Sequence, residues 1–95
     1  MTWYLRVAWH HDFPEEPVEL YSEVDDDGYE VRKVHVFRDG HLEYADADVE
    51  TPMTGLSEVP IGPVESIAAQ DEFSPAIIGR QDFEEIWRLA TGTVA

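Results

Sequence analysis

The 95-residue sequence predicts an α+β domain: an antiparallel meander of four or five strands with a C-terminal helix packed on one face. Three observations carry this. Apolar and polar residues alternate with period two in several short runs, as half-buried strands require. Short turn sequences rich in Asp and Gly separate those runs. Near the end, Phe83, Ile86, Trp87 and Ala90 fall at i, i+3, i+4 and i+7, a single apolar stripe on a helix.

The first strand is Trp3 to Trp9, with Trp3, Leu5, Val7 and Trp9 on one face and Tyr4, Arg6 and Ala8 on the other. His10 to Pro17 holds two prolines three apart, which forbids a central strand or helix interior, so it reads as an ordered loop. Val18 to Val24 alternates again. Asp25-Asp26-Asp27-Gly28 is a turn in which Gly28 supplies a positive φ. Tyr29 to Phe37 is the third strand. Its pattern slips by one between Val31 and Val34, which either a bulge near Arg32-Lys33 or a strand covered on both sides accounts for. Asp39-Gly40 fits a type I′ hairpin turn leading into a strand from Leu42 to Ala45.

The second half is less periodic. Residues 51–55 read as a linker within the domain, and Leu56 to Ile61 as a short edge strand that tolerates Pro60. Pro63 opens a short helix over Val64 to Ala69. Ser74-Pro75 reads as a further turn. The best helix runs from about Arg80 to Ala90, with Asp82 near its start, a Glu84–Arg88 pair at i+4 and Gly92 as its stop. No internal repeat or low-complexity segment breaks up a single domain spanning residues 1–95.

Twenty-one acidic and six basic residues give a net charge of −15. A hydrophobic content of 43% and aromatics at 12% argue for a folded domain in spite of that charge. Residues 1–48 carry −9 and residues 49–95 carry −6, so the charge belongs to the whole surface. Phosphates repel such a chain, which excludes bare nucleic acid and anionic membranes as partners. No apolar run approaches the ~20 residues that span a bilayer, and no secretory signal is legible. The absence of cysteine excludes disulfides and thiolate chemistry and points to a cytoplasmic setting.

Motifs for chemistry are sparse. His10-His11-Asp12 offers metal-ligand types, but adjacent residues at a strand end point in opposite directions, so they do not easily grip one ion. The competing reading has one histidine packing at the strand end and Asp12 bonding backbone amides ahead of Phe13-Pro14. Asp25-Asp26-Asp27-Gly28 lacks the alternate spacing and distal glutamate of a calcium loop and reads as a solvated turn. No phosphate-binding glycine loop, nucleophile elbow or cofactor motif is present. Trp3, Trp9 and Trp87 read as core, while Tyr21, Tyr29 and Tyr44 lie among acids, where a tyrosine suits an interface anchor.

Several segments together carry a resemblance: Trp9-His10-His11-Asp12-Phe13-Pro14-Glu15-Glu16-Pro17, Asp25-Asp26-Asp27-Gly28-Tyr29-Glu30-Val31-Arg32-Lys33-Val34, Val36-Phe37-Arg38-Asp39-Gly40 and Glu72-Phe73-Ser74-Pro75. On these the chain resembles a bacterial family of short, acidic, stand-alone domains of unknown function. The resemblance implies no reaction. Small acidic proteins of this kind are similar to immunity proteins that neutralise toxins. Gly79-Arg80-Gln81 departs from the family's Ser/Thr cap before the last helix, which leaves that helix start less well capped.

The expectation is a non-catalytic acidic domain that binds a basic protein, as an immunity-type inhibitor of a toxin does. Glu15, Glu16, Asp25, Asp26 and Asp27 are the expected partner-binding acids, with Tyr29 as an anchor. One alternative is a small enzyme or metal-binding protein built on His10, His11 and Asp12. Another is a DNA mimic, with carboxylates spaced like phosphates along one face.

Overall fold

The computed structural model describes residues 1–52 and 54–92; Met53, in the expected linker, lies outside the described residues. Strands β1 (Trp3–Trp9), β2 (Pro17–Val24), β3 (Glu30–Phe37) and β4 (Leu42–Ala45) follow one another as a meander. Helix α1 (Val64–Ala68), strand β5 (Phe73–Ile78) and helix α2 (Arg80–Thr91) complete the chain. All five strands form one antiparallel sheet in the order β4-β3-β2-β1-β5, so the fold is α+β as expected.

The fifth strand is not the expected one. Residues 56–61 form no strand, and Phe73–Ile78 pairs with β1 in their place, Tyr4 opposite Ile78 and Trp9 opposite Phe73. Ser74-Pro75 is therefore strand, not turn. An edge strand tolerates a proline because its outer ladder is unpaired. The two hairpins also differ from expectation. Gly40 has φ +93°, but among the described residues no non-glycine residue has positive φ, Asp39 included, so the type I′ turn is excluded. Gly40 N–H donates to Phe37 O and Phe37 N–H to His41 O, which makes a three-residue loop closed by a left-handed glycine. Asp25 to Tyr29 repeats the arrangement around Gly28, φ +87°.

The slip expected in β3 has both causes offered for it. The β2–β3 register shifts between Glu23 and Val24, which leaves Val31 as an extra residue one position before the expected bulge. The strand is also covered on both faces. Because β4 and β5 are opposite edges, the connection from 46 to 72 must cross the sheet. It crosses the face of Leu5, Val7 and Leu20, where Ile61 and Ile67 meet them. Helix α2 covers the other face. Phe83, fully buried, lies 5.4 Å from the Tyr4 ring, and Trp87 meets Tyr44 edge-on at 5.5 Å. The apolar stripe thus docks where β1 shows Tyr4, while Leu5 and Val7 form a second core. None of the three tryptophans is fully buried.

Arg32 fastens α2 to the sheet. Its guanidinium donates to Glu23 at 2.5 Å and to both oxygens of Glu84 at 3.1 and 2.8 Å. It also lies 4.9 Å from the Phe83 ring centre and 5.0 Å from that of Trp87. Glu84 therefore turns to Arg32, with Arg80 at 3.8 Å, and the expected partner Arg88 acts on it only at longer range. The hydrogen bonds from Arg32 hold the Glu84 carboxyl below the usual glutamate range against the opposing effect of burial. Burial alone would lower the Arg32 pKa; the bonds to Glu84 and Glu23 outweigh it and raise it. Burial, and then the adjacent Glu23, raise the Tyr4 hydroxyl. Gly79 offers no side-chain cap at the start of α2, but Asp82 accepts from the Gly79 N–H at 3.4 Å.

Candidate functional site

The expected acids fall at opposite ends of the sheet. Glu15 and Glu16 precede β2, whereas Asp25, Asp26 and Asp27 follow it, and eight strand residues separate them by roughly 25 Å. They are two sites on two poles. At the first pole Asp12, Glu15, Glu16, Asp39, Asp71 and Glu72 are all exposed. At the second pole the three aspartates differ in role. Asp25 builds the turn, its Oδ1 accepting from the N–H groups of Asp27 and Tyr29. Asp26 pairs with the N-terminal amine, and Asp27 is exposed. Tyr29 is 41% exposed beside them. The Gly28 carbonyl accepts from Ile61 N–H at 2.7 Å, which brings the crossing segment to this pole. An open groove there is lined by Asp46, Asp48, Glu50 and Glu58, acids that the sequence reading did not single out.

The bases are placed differently. Arg6 pairs with Glu19, Arg32 with Glu23 and Glu84, Lys33 with Glu30, and Arg80 with Glu84. Arg38 donates to the His11 carbonyl at 2.6 Å. The strand acids Glu19, Glu23 and Glu30 are therefore neutralised locally across the sheet. Among the loop acids, Asp12, Glu15, Glu16, Asp27, Asp71 and Glu72 are exposed to solvent, while Asp25, Asp26 and Asp39 are engaged by turn amides, the N-terminal amine and His41. Asp39 is held below the usual aspartate range, first by the His41 N–H and then by the His41 side chain.

The His10-His11-Asp12 segment is organised for structure. His10 Nε2 is 2.7 Å from Ser74 Oγ on the neighbouring strand. His11 has both ring nitrogens engaged: Nδ1 accepts the Phe13 N–H at 2.9 Å, and Nε2 donates to Pro17 O at 2.8 Å. The amide that Asp12 was expected to bond is thus taken by His11, whose lone pair is no longer open to a metal. Among the described residues, no group of three His, Asp or Glu side chains is arranged to hold an ion.

Two further concave features bear on function. A cavity of about 190 Å³ lies between the sheet and the crossing segment, with an apolar wall and a polar floor of Ser22, Glu30, Lys33 and His35. The floor ties the fold together. Glu30 accepts from Ser22 Oγ at 3.0 Å, from Ser57 N–H at 2.7 Å and from Lys33 at 2.8 Å, while Lys33 donates to Gly55 O. The second feature is a broad groove of about 510 Å³ at the first pole, lined by Trp9, Phe13, Glu15 and Glu16. Trp9 was read as core, and Phe13 was not singled out. A tryptophan that ends a strand ahead of a proline-containing loop was the signal that could have pointed to the groove.

No described helix is long and apolar enough to cross a membrane. No curated protein matches the chain, and no solved structure does. One family model matches residues 3–92, nearly the whole chain and every element of the sheet, and by that match the chain belongs to the family described as domain of unknown function DUF6881.

Proposed function

We propose that this domain is a non-catalytic binding module for a basic protein, acting as an immunity-type inhibitor that covers a cation-rich surface. The separation of charges supports this reading best. Arg6, Arg32, Lys33 and Arg80 are paired with acids of the fold, so the exposed acids of the two poles outnumber the cations there, Arg38 at the first and the N-terminal amine at the second. Such a field speeds encounter with a cationic partner and adds specificity. The DNA-mimic alternative asks for free carboxylates in a row along one face, and the strand acids Glu19, Glu23 and Glu30 are instead in ion pairs.

The test is affinity capture from the native host at about 50 mM salt, followed by measurement of Kd against salt for the purified partner. The expected partner is basic, and its affinity falls steeply as salt rises. A partner whose affinity ignores salt, or no partner at low salt, overturns the reading.

A further inference from the structure

We propose that the groove lined by Trp9, Phe13, Glu15 and Glu16 seats one arginine side chain of the protein partner. This deepens the basic-partner reading and rests on it. The chemistry fits a guanidinium. It is planar, stacks on aromatic faces and donates to carboxylates through a fork of N–H groups. Two aromatic side chains and two exposed carboxylates line one concavity, which is that complement.

The chain already contains the same set in occupied form. Arg32 lies against the rings of Phe83 and Trp87 and forks onto Glu84 and Glu23. The groove repeats one phenylalanine, one tryptophan and two glutamates, and no arginine of the chain lines it. Arg38, on the neighbouring β3–β4 hairpin, is held on the His11 carbonyl.

Two further observations set the groove apart from an ordinary acidic loop. Phe13 is 60% exposed, yet it is held in place. Its N–H is bound by His11 Nδ1, and the His11 ring stacks on it at 5.5 Å and meets the Trp9 ring at 4.3 Å, tilted by 56°. A rigid exposed aromatic binds with little ordering cost. Trp9 also carries a buried indole N–H with no acceptor among the described residues. Packing alone would favour phenylalanine, which has no N–H to leave unsatisfied. Tryptophan is the ring that attracts a cation best.

The test uses the full chain and a capped tri-arginine peptide at about 20 mM salt, where screening is weak. Kd is read from ¹⁵N chemical-shift titration, with capped tri-citrulline as the neutral, isosteric control. Phe13→Ala and the double variant Glu15→Gln/Glu16→Gln are each expected to weaken tri-arginine binding about tenfold. Asp27→Asn/Asp48→Asn removes the same charge from the other pole and is expected to change Kd less than about twofold. All the substituted side chains are exposed, so folding is preserved and is checked in the same spectra. If Phe13→Ala binds like the wild type and the two charge-matched variants weaken binding equally, the groove is refuted and the basic-partner reading survives. If tri-citrulline binds as tightly as tri-arginine, guanidinium recognition is refuted. If tri-arginine binds nowhere at low salt, the groove and the basic-partner reading both fail.

Discussion

Replacing Arg32 with methionine tests whether one cation docks α2 onto the sheet. Methionine keeps much of the aliphatic stem and removes the guanidinium. Three hydrogen bonds to Glu23 and Glu84 are lost, together with the contacts over Phe83 and Trp87. The Arg32 side chain is 19% exposed, so the cost lies between the ~0.2–1 kcal/mol of a surface pair and the ~3–5 kcal/mol of breaking a buried one. A loss of about 2–4 kcal/mol follows, which lowers Tm by roughly 10–30 °C in a domain of this size. Urea denaturation of wild type, Arg32→Met, Glu84→Gln and the double variant isolates the pair, with about 1 kcal/mol of coupling expected. The pH dependence supplies an independent check. Glu84 is held below its ordinary value of 4.5 in the folded state, so its contribution is complete above that value. It is lost as pH falls through the folded value, because the unfolded chain then binds the proton more readily than the folded one. The penalty of Arg32→Met should therefore be full at neutral pH and shrink as the medium is acidified below the ordinary glutamate value of 4.5. A penalty below about 0.5 kcal/mol at neutral pH, or one that does not shrink with acidification before the fold is lost, refutes the docking role.

Three other outcomes follow from the same structure. His11→Ala should cost about 1–2 kcal/mol and speed amide exchange at Phe13 while leaving the β2–β3 amides protected; unchanged exchange at Phe13 would show that the His11 acceptor does not order the loop. Glu30→Gln should cost about 1–3 kcal/mol in urea denaturation, because it leaves Lys33 half-buried without its counter-charge. A loss under about 0.5 kcal/mol would mean that the crossing segment is held by apolar contacts alone. Raising sodium chloride from about 0.05 to 0.5 M should raise Tm, since screening relieves repulsion among the acids of the poles; a flat or falling Tm would show that the net charge exerts no strain on the fold.

The meander was legible because β1, β2 and β4 alternate, β3 alternates on either side of its slip, and the two hairpin turns carry an Asp-Gly signal. The fifth strand was hidden by Pro75, which reads as a breaker unless its place at an edge is known. That place depends on the crossing from one edge to the other, a long-range fact. The second core was hidden for a related reason. Alternation in β1 marks two faces but does not say that both are covered, and the segment that covers Leu5 and Val7 has no period of its own. Leu56 to Ile61 carries apolar residues enough for a strand assignment, but of these Ile61 lies against the sheet face, Leu56 lines the groove at the second pole and Val59 is exposed.

The acids of the site were legible as residues but not as a geometry. Proline-flanked loops and Asp-rich turns are exposed in most folds, so the exposure of Glu15, Glu16 and Asp27 was readable. Their distribution over two poles depends on the length of β2, and the turn-building role of Asp25 depends on hydrogen bonds the sequence only suggests. Least legible were the partners of the bases. Arg6 finds Glu19, 13 residues away, and Arg32 finds Glu84, 52 residues away, through register and helix docking. Those pairings decide the field. Cations placed mid-sheet neutralise the strands and leave the two ends acidic, so a basic partner is drawn toward both ends and short-range contacts must choose between them. The first pole has a fixed exposed phenylalanine beside a tryptophan. The groove at the second pole has acids, with Val49, Leu56 and Ala47 as its apolar lining and no aromatic ring. An ammonium or guanidinium gains Coulomb attraction at either end, but it gains a stacking surface only at the first of the two grooves.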